Sequence, residues 1–399
     1  MSSLQQPTED PRASGSVSSA ELISRASSLT PLLRANADRT ERERRVAPEN
    51  LDRLRASGLL RLTTPSARGG FEASIRTQVE VGLALGRGCP SAGWVAGIFN
   101  GVRPMTLMLS DAAREEFYRE GPDVMVCSVA SVHGEAVRTE GGVRFSGTWA
   151  AASGCEDAHW ALLGIPLPDA AGGPPAAATV LVPLADLAVK DTWHVAGMGG
   201  TGSQSLVADS VLVPEHRVIS AAVAPSGGAG SGFPAALKIG ATLNLLAPVI
   251  GAALGGADTV REVLDSKRGI IASVYRDTTD SPSAQMWLGE AEHAIARAVR
   301  LTQSVADAAD AALAGDPLSL RERSALRMDM VAAIELARAA MSRLLDLSGS
   351  SAFSASHPLQ RYWRDLETGS RHVQFNPFIT REDFGRLAVG LESPVSLLL

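Results

Sequence analysis

The fold is decided by the stretch Glu135-Ala136-Val137-Arg138-Thr139-Glu140-Gly141-Gly142-Val143-Arg144-Phe145-Ser146-Gly147-Thr148-Trp149. Its two β-rich runs, 135–138 and 143–149, are joined through the pair Gly141-Gly142. Alternating runs joined by such a turn are typical of a β-hairpin. Further strand-like segments occur at 123–131, 161–166, 179–183 and 205–214. We therefore predict an antiparallel β domain at residues 121–228.

Helical patterns flank this block on both sides. Within residues 21–120, four leucines between 51 and 60 have helical spacing, and residues 77–86 and 91–108 continue the pattern. A link rich in Gly, Ser and Ala at 226–232 leads to residues 229–399, where segments 283–313 and 320–347 carry long stripes of small apolar residues. Small residues allow close helix packing, so we predict a C-terminal four-helix bundle that also assembles with further copies of the chain. The fold class is α+β.

Length and composition exclude several classes of protein. A chain of 399 residues is long enough for two or three structural units. A net charge of −6 argues against a nucleic-acid partner, which would need a basic face. No run of 18 apolar residues occurs, so we expect no membrane span. Residues 1–20 are polar and have no apolar signal segment, which predicts a disordered tail and a cytoplasmic protein.

The common cofactor motifs are absent from the sequence. Metal-binding patterns such as His-Glu-x-x-His and Cys-x-x-Cys do not occur, and the three cysteines lie far apart, so we expect no metal site. A Gly-x-Gly-x-x-Gly pattern occurs at Gly197, Gly199 and Gly202, but a strand-like segment follows it where a dinucleotide fold requires a helix. We predict no nicotinamide site, so electrons for any redox chemistry must come from elsewhere.

Two short segments have the composition of a cofactor contact. The loop 199–203 offers unhindered backbone N–H groups and hydroxyls for a phosphate or the edge of an isoalloxazine, and Trp193 can cover a planar ring. Ser153 stands among small residues at a strand end, where its hydroxyl can approach a flat cofactor. The alternatives are a Gly-rich turn with a core tryptophan and an ordinary turn serine.

The segment 357–372 is the densest in functional side chains. Pro358 suits the first position of a helix. Arg361, Arg364, Asp365, Thr368 and His372 then follow at three- and four-residue steps, which places them along one side. His372 can donate or accept a proton near neutral pH, although a single histidine is more often structural.

Four segments together resemble the two-component flavin monooxygenases of the acyl-CoA dehydrogenase fold, over about residues 25–390. They are Gly58-Leu59-Leu60-Arg61-Leu62 with Pro65 and Gly69-Gly70; Phe145-Ser146-Gly147-Thr148-Trp149 with Ser153-Gly154-Cys155; Asp191-Thr192-Trp193 with Gly197, Gly200-Thr201-Gly202-Ser203 and Val213-Pro214; and His357-Pro358-Leu359-Gln360-Arg361 with Arg364-Asp365 and His372. The resemblance implies an N-terminal helical domain, a central antiparallel β domain, a C-terminal four-helix bundle and a homotetramer.

The resemblance also implies a reaction. Relatives of this kind take reduced FMN or FAD from a separate NAD(P)H:flavin reductase and use O2 as co-substrate. The expected activity is hydroxylation of a small aromatic or polyketide-type molecule through a flavin C4a-hydroperoxide, as in natural product biosynthesis. Oxygenation of nitrogen or sulfur by a member of the same family stays open.

Roles for individual residues follow from the same resemblance. Ser153 is expected near flavin N5 and His372 beside the flavin carbon that binds oxygen. The expected flavin contacts are Trp193, Thr201, Gly202, Ser203 and Arg361, together with Arg268 on the phosphates in a neighbouring subunit. The expected substrate contacts are Trp94, Asn100, Arg103 and Phe375.

Two other functions remain open at this stage. The dehydrogenases of this fold need a carboxylate base, usually in a Tyr-Glu-Gly sequence, where this chain has Arg371-His372-Val373-Gln374-Phe375. That difference favours oxygenation over an acyl-CoA dehydrogenase or oxidase, for which Glu367 would have to act as a relocated base. Phe375 replaces a polar residue found in several relatives, which removes a polar partner or favours an apolar substrate. A flavin-binding scaffold without activity is the third possibility.

Overall fold

A computed structural model describes residues 17–169, 173–220 and 233–397. Most of the predicted tail, residues 1–16, and the whole of the link 226–232 lie outside these ranges. The first helix begins at Ser19, inside the segment 1–20 that the sequence predicts to be disordered. Its start is stabilised by the Ser18 side chain, which accepts a hydrogen bond from the Glu21 N–H.

Between residue 17 and the β block, the structure describes six α-helices. They are α1 (Ser19–Ala35), α2 (Ala37–Glu43), α3 (Pro48–Ala56), α4 (Ile75–Gly88), α5 (Pro90–Val102) and α6 (Asp111–Phe117). The single helix predicted at 91–108 is shorter than expected, because a 3-10 turn at Arg103–Met108 follows α5. Pro104 has no N–H to donate to an α-helical hydrogen bond and stands where the helix type changes.

The β block consists of two four-stranded sheets. The strands are β1 (Val126–Val132), β2 (Glu135–Thr139), β3 (Gly142–Ala152), β4 (Trp160–Leu167), β5 (Ala176–Pro183), β6 (Ala188–Lys190), β7 (Gln204–Pro214) and β8 (Val218–Ser220). One sheet has the order β1-β4-β5-β8 and the other β2-β3-β7-β6. The predicted hairpin is confirmed, since β2 and β3 pair antiparallel with Thr139 opposite Gly142.

The prediction of a purely antiparallel domain is wrong for one pair of strands. β1 pairs with β4 in the parallel direction, with Val126 opposite Trp160. The reason is that the β2–β3 hairpin between these strands lies in the other sheet. The chain crosses to that sheet after β1 and returns as β4 in the same direction as β1. A sequence pattern of alternating residues does not distinguish these two directions.

The C-terminal block is built on three long helices and two short ones. They are α7 (Ala235–Asp265), α8 (Pro282–Ala314), α9 (Leu320–Ser348), α10 (Pro358–Gly369) and α11 (Pro377–Ala388). The predicted stripe on α8 is buried at Ala291, Ile295, Ala298 and Val305. By length and composition α7 could cross a membrane, but 72% of its most apolar window is buried inside the protein, as in the central helix of a bundle.

Helix α5 lies between the two largest parts of the core. Val95 and Phe99 pack with the N-terminal helices and the β block, whereas Trp94 packs with the C-terminal helices. A Cβ on Gly97 would lie 2.1 Å from the Asn244 carbonyl oxygen of α7, so only glycine permits this contact between the helices. One turn of α5 therefore connects all three blocks.

Candidate active site

Trp94 is the point at which side chains from the three blocks meet. Its indole Nε1–H donates to Ser153 Oγ at 3.1 Å, just after β3 ends. Its ring meets the imidazole of His372, which follows α10, edge to face with 5.3 Å between centroids. The two residues predicted to be catalytic, Ser153 and His372, are thus brought together by a residue predicted to contact substrate.

A chain of hydrogen bonds leads away from Ser153 into the protein. Ser153 Oγ lies 2.7 Å from Ser203 Oγ, which in turn lies 2.7 Å from Thr201 Oγ1. The Thr201 hydroxyl donates to the Met198 carbonyl at 2.8 Å. All three hydroxyl-bearing residues are buried, and Gly154 N–H donates to the Thr201 carbonyl at 2.8 Å to hold the two loops together. The predicted flavin loop is therefore joined to Ser153 by direct contact.

The chain of hydrogen bonds ends at the backbone of Met198, a residue that the sequence analysis did not single out. Its carbonyl accepts from Trp193 Nε1 at 3.0 Å as well as from Thr201, and its N–H donates to the Asp365 carboxylate at 2.5 Å. Met198 adopts a φ of 58°, a region that non-glycine residues occupy at a cost. The bonds at both ends of the residue stabilise this conformation.

Asp365 is a buried carboxyl behind the loop. Burial raises its pKa to about 6, a rise opposed by the Met198 N–H. The sequence predicted that Asp365 lies on the functional side of the helix but assigned no partner to it. Met198 has no sequence signal at all, because its contribution comes from the backbone.

The geometry around His372 selects one protonation form. Burial lowers the pKa of the imidazole to about 4, so the ring is neutral at pH 7. Its Nδ1 accepts from the Gln374 N–H at 3.4 Å, which leaves the proton on Nε2. In this form His372 is a hydrogen-bond donor at Nε2.

Phe375, predicted to contact substrate, is 2% exposed and its ring centroid lies 6.2 Å from that of His372. It therefore forms an apolar wall beside the imidazole.

Asn100 and Arg103, which the sequence predicts to contact substrate, are buried and bonded to the protein's own backbone, and their substrate role stays a prediction. Asn100 accepts from the Leu62 N–H at 2.9 Å and donates to the Leu59 carbonyl at 2.8 Å. Arg103 donates to the Val124 carbonyl at 2.6 Å, and burial lowers its pKa to about 10. Both side chains face the interior because the end of α5 and the 3-10 turn that follows it pack against the chain at 59–63 and at Val124, contacts that helical spacing does not reveal.

Two arginines predicted to bind flavin lie apart from the Trp94 contacts. Arg361 on α10 forms an ion pair with Asp38 of α2. Arg268 is exposed on the turn between α7 and α8, where its carbonyl accepts from Thr278. Arg361 thus joins α10 to α2, and its role as a flavin contact stays a prediction.

Comparisons with known proteins show the family. A family model described as acyl-CoA dehydrogenase, C-terminal domain, matches residues 243–377. The oxygenase component of the FADH(2)-dependent resorcinol hydroxylase of Rhizobium sp. (strain MTP-10005) is 32% identical over 386 residues, covering 93% of this chain and 94% of the relative. The oxygenase subunit HsaA, a flavin-dependent monooxygenase of Rhodococcus jostii (strain RHA1), is 32% identical and covers 89% of this chain and 94% of the relative.

Solved structures agree. XiaF from Streptomyces sp., in complex with FADH2 and glycerol, has a TM-score of 0.88 and 34% identity, with 95% of this chain and 97% of that chain covered. The chain belongs to the two-component flavin-dependent monooxygenases. The predicted family and acyl-CoA dehydrogenase fold are confirmed. This monooxygenase uses reduced flavin and O2, and the naming of its relatives as oxygenase components implies a separate reductase.

The residues around Ser153 suit a flavin ring. They are neutral donors and acceptors, namely an indole N–H, three hydroxyls and an uncharged imidazole, which match the polar edge of a flat ring flanked by aromatic side chains. The charged Asp365 is separated from them by the Met198 peptide. Among the described residues, no group of three or more His, Cys, Asp or Glu side chains is arranged to hold a metal ion.

Glu367, which would be the catalytic base if the protein were a dehydrogenase, is bound by two arginines in this monooxygenase. It accepts two hydrogen bonds from Arg338 of α9, at 3.0 and 2.9 Å, and one from Arg371 at 2.5 Å. Burial alone would raise the pKa of Glu367, but these arginines outweigh burial and lower it. A carboxylate held in this way is a poor proton acceptor, so the structure favours the monooxygenase reading.

Proposed function

We propose that the protein hydroxylates a small phenolic or polyketide-type aromatic molecule in the space bordered by Trp94, Ser153 and His372. The observation that carries this proposal is the convergence of these three side chains, each from a different block, on one another. Relatives that are about 30% identical are named a resorcinol hydroxylase and a pigment production hydroxylase. These names support carbon hydroxylation over nitrogen or sulfur oxygenation.

The protein's own residues have distinct tasks in this proposal. Bound reduced flavin supplies the electrons that activate O2. Ser153 holds the polar edge of the ring, and Trp193 with the loop 199–203 covers it. His372 donates its Nε2–H to an oxygen atom of the substrate or of the reacting oxygen, which stabilises the negative charge developing there. Trp94 and Phe375 exclude water from that position.

Assembly into a homotetramer is part of the proposal. The turn between α7 and α8 exposes Ile271 at 96% and Val274 at 87%, beside the exposed Arg268. Another copy of the chain that covered this apolar turn would bring Arg268 to the flavin phosphates of a neighbouring subunit. We also place the protein in the cytoplasm, where its three buried, unpaired cysteines stay reduced.

The test is a coupled assay with the unmodified protein. It is mixed with an NAD(P)H:flavin reductase, NADH, FAD or FMN and a panel of phenols under ¹⁸O2. We expect a hydroxylated product that carries one ¹⁸O atom. Oxidation of NADH with an equal yield of hydrogen peroxide from O2, and with no product from any phenol, would indicate a scaffold. Anaerobic bleaching of oxidised flavin by an acyl thioester would indicate a dehydrogenase.

A further inference from the structure

Thr201, Ser203 and Ser153 form a chain of hydrogen bonds that ends at the Met198 carbonyl. Because this carbonyl can only accept, it determines the direction of every bond in the chain. A carbonyl only accepts, so the single hydroxyl proton of Thr201 is donated to Met198. Thr201 can then only accept from Ser203, and Ser203 in turn can only accept from Ser153. At the outer end the indole of Trp94, which only donates, is bonded to Ser153. All four bonds are compatible with one arrangement of protons.

This arrangement makes Ser153 an acceptor towards the site. Its proton is committed to Ser203, and one of its two lone pairs receives the Trp94 N–H. The second lone pair remains for a ligand. Ser153 is also the outer end of the chain, with 8% of its surface exposed against 2% for both Thr201 and Ser203. A ligand that reaches the chain therefore meets an oxygen atom that accepts and cannot donate.

We propose that Thr201 and Ser203 set the preference of this enzyme for reduced over oxidised flavin. Reduced flavin carries hydrogen on N5 and is a donor there, whereas N5 of oxidised flavin has only a lone pair. Ser153, as a fixed acceptor, accepts a hydrogen bond from N5–H of reduced flavin. With oxidised flavin, the lone pairs of N5 and Ser153 face each other and no hydrogen bond forms. The inference rests on the proposed function, in which Ser153 holds the polar edge of the flavin ring, and it takes N5 as the atom of that edge that meets Ser153.

The proposal identifies two substitutions that should reverse the direction of the chain. Thr201→Val keeps the shape of the side chain and removes the hydroxyl, so Ser203 is free to donate to Ser153, and Ser153 to donate to the ligand. Ser203→Ala removes the acceptor of the Ser153 proton directly. Met198 retains hydrogen bonds from the Trp193 indole and the Thr201 N–H in both variants, which preserves the loop.

The experiment is an anaerobic titration of the full-length protein with FAD and with FMN, each in oxidised and in dithionite-reduced form. The quantity compared is the ratio of the two dissociation constants. We expect the wild type to bind reduced flavin about 10- to 100-fold more tightly, the range set by one unpaired buried polar group. In Thr201→Val and Ser203→Ala the ratio should fall about tenfold, mainly through tighter binding of oxidised flavin.

Two matched variants separate this effect from general disruption. Thr201→Ser retains the hydroxyl and should keep the wild-type ratio. Ser205→Ala removes another buried serine hydroxyl, which bonds with Thr192 outside the Ser153 chain, and should also leave the ratio unchanged. An unchanged ratio in both Thr201→Val and Ser203→Ala, with flavin still bound, would overturn the inference and leave the proposed function intact. If the wild-type protein binds neither FAD nor FMN in either redox state, the proposed function itself is refuted.

Discussion

Two polar regions lie side by side at α10 and differ in how their polarity is balanced. The neutral cluster is defined as Trp94, Ser153, Thr201, Ser203 and His372, and it contains no charged group. Single, directed hydrogen bonds join its first four members, and a ring contact with Trp94 holds His372. The ionic face of α10 carries Arg361, Arg364 and Glu367, each paired with an opposite charge from another helix. The first region leaves bonding capacity for a ligand, whereas the second uses most of its own in ion pairs within the protein.

The physical reason is the cost of burying charge. A buried ion must be paired to offset its loss of hydration, so the charged side chains of α10 are occupied in joining it to α2 and α9. Hydroxyl, indole and neutral imidazole groups are cheaper to bury and can leave one lone pair or one N–H facing a ligand. Density of charged residues is therefore a poor guide to the reactive side of this helix.

The largest effect is expected from removal of the imidazole in the neutral cluster. His372→Ala should lower the rate of product formation about 100-fold or more, since it loses a positioned hydrogen-bond donor. Hydrogen peroxide release should rise at the same time, while flavin binding persists. His357→Ala is the matched control, because His357 also accepts a backbone N–H at Nδ1, from Leu359, but lies at the other end of α10. Equal product rates in the two variants would remove His372 from the mechanism.

The pH dependence of stability should show opposite contributions from the two regions. The raised pKa of Asp365 means that the folded protein binds its proton more tightly than the unfolded chain, so its contribution to stability falls as pH rises from about 4 to 6. The lowered pKa of His372 has the opposite sign, and its contribution is lost as pH falls from 6.5 towards 4. In the wild type the two slopes largely cancel.

Single variants should separate these slopes in urea unfolding measured from pH 4 to 7. The free energy of unfolding of Asp365→Asn, relative to wild type, should rise across this range by roughly 3 kcal/mol. His372→Ala should shift the opposite way by less, because solvent screens a half-buried ring. If the free energy of unfolding depends on pH in the same way in both variants and the wild type, the pKa values of Asp365 and His372 do not change on unfolding.

Asn100 provides a smaller, purely structural effect. Asn100→Ala leaves the Leu62 N–H and the Leu59 carbonyl without their partner, which should lower the free energy of unfolding by about 2–4 kcal/mol. The KM for the aromatic substrate should stay within about twofold, since lost stability far from the ligand does not alter binding. A raised KM together with normal stability would restore the substrate role predicted from the sequence.

The smallest effect is expected on the ionic face. Glu367→Gln should reduce stability by up to about 1 kcal/mol through weaker bonds to Arg338 and Arg371, and should leave product formation within about twofold. Glu335→Gln, which disturbs an exposed ion pair with Arg381, is the control. Loss of all flavin chemistry in Glu367→Gln alone would revive the dehydrogenase reading.

Much of the fold follows from local pattern. The Gly141-Gly142 pair predicted the β2–β3 hairpin because its backbone requirement is local, and the small residues of 283–313 predicted α8 because helical periodicity is local too. The parallel pairing of β1 with β4 was not predictable in this way, since it depends on which sheet the hairpin joins. Residue types alone marked Ser153, His372 and the loop 199–203 as candidates, and the fold brings them together.

The amino-acid sequence by itself determined which groups are available, namely a hydroxyl at 153, an imidazole at 372 and no carboxylate within residues 371–375. Only the tertiary structure decided what each group does. It turned Asn100 and Arg103 inwards, placed the Met198 carbonyl at the end of the hydroxyl chain and thereby fixed the direction of the Ser153 proton. The reason is that hydrogen-bond direction depends on partners distant in sequence, whereas side-chain chemistry depends on the residue alone.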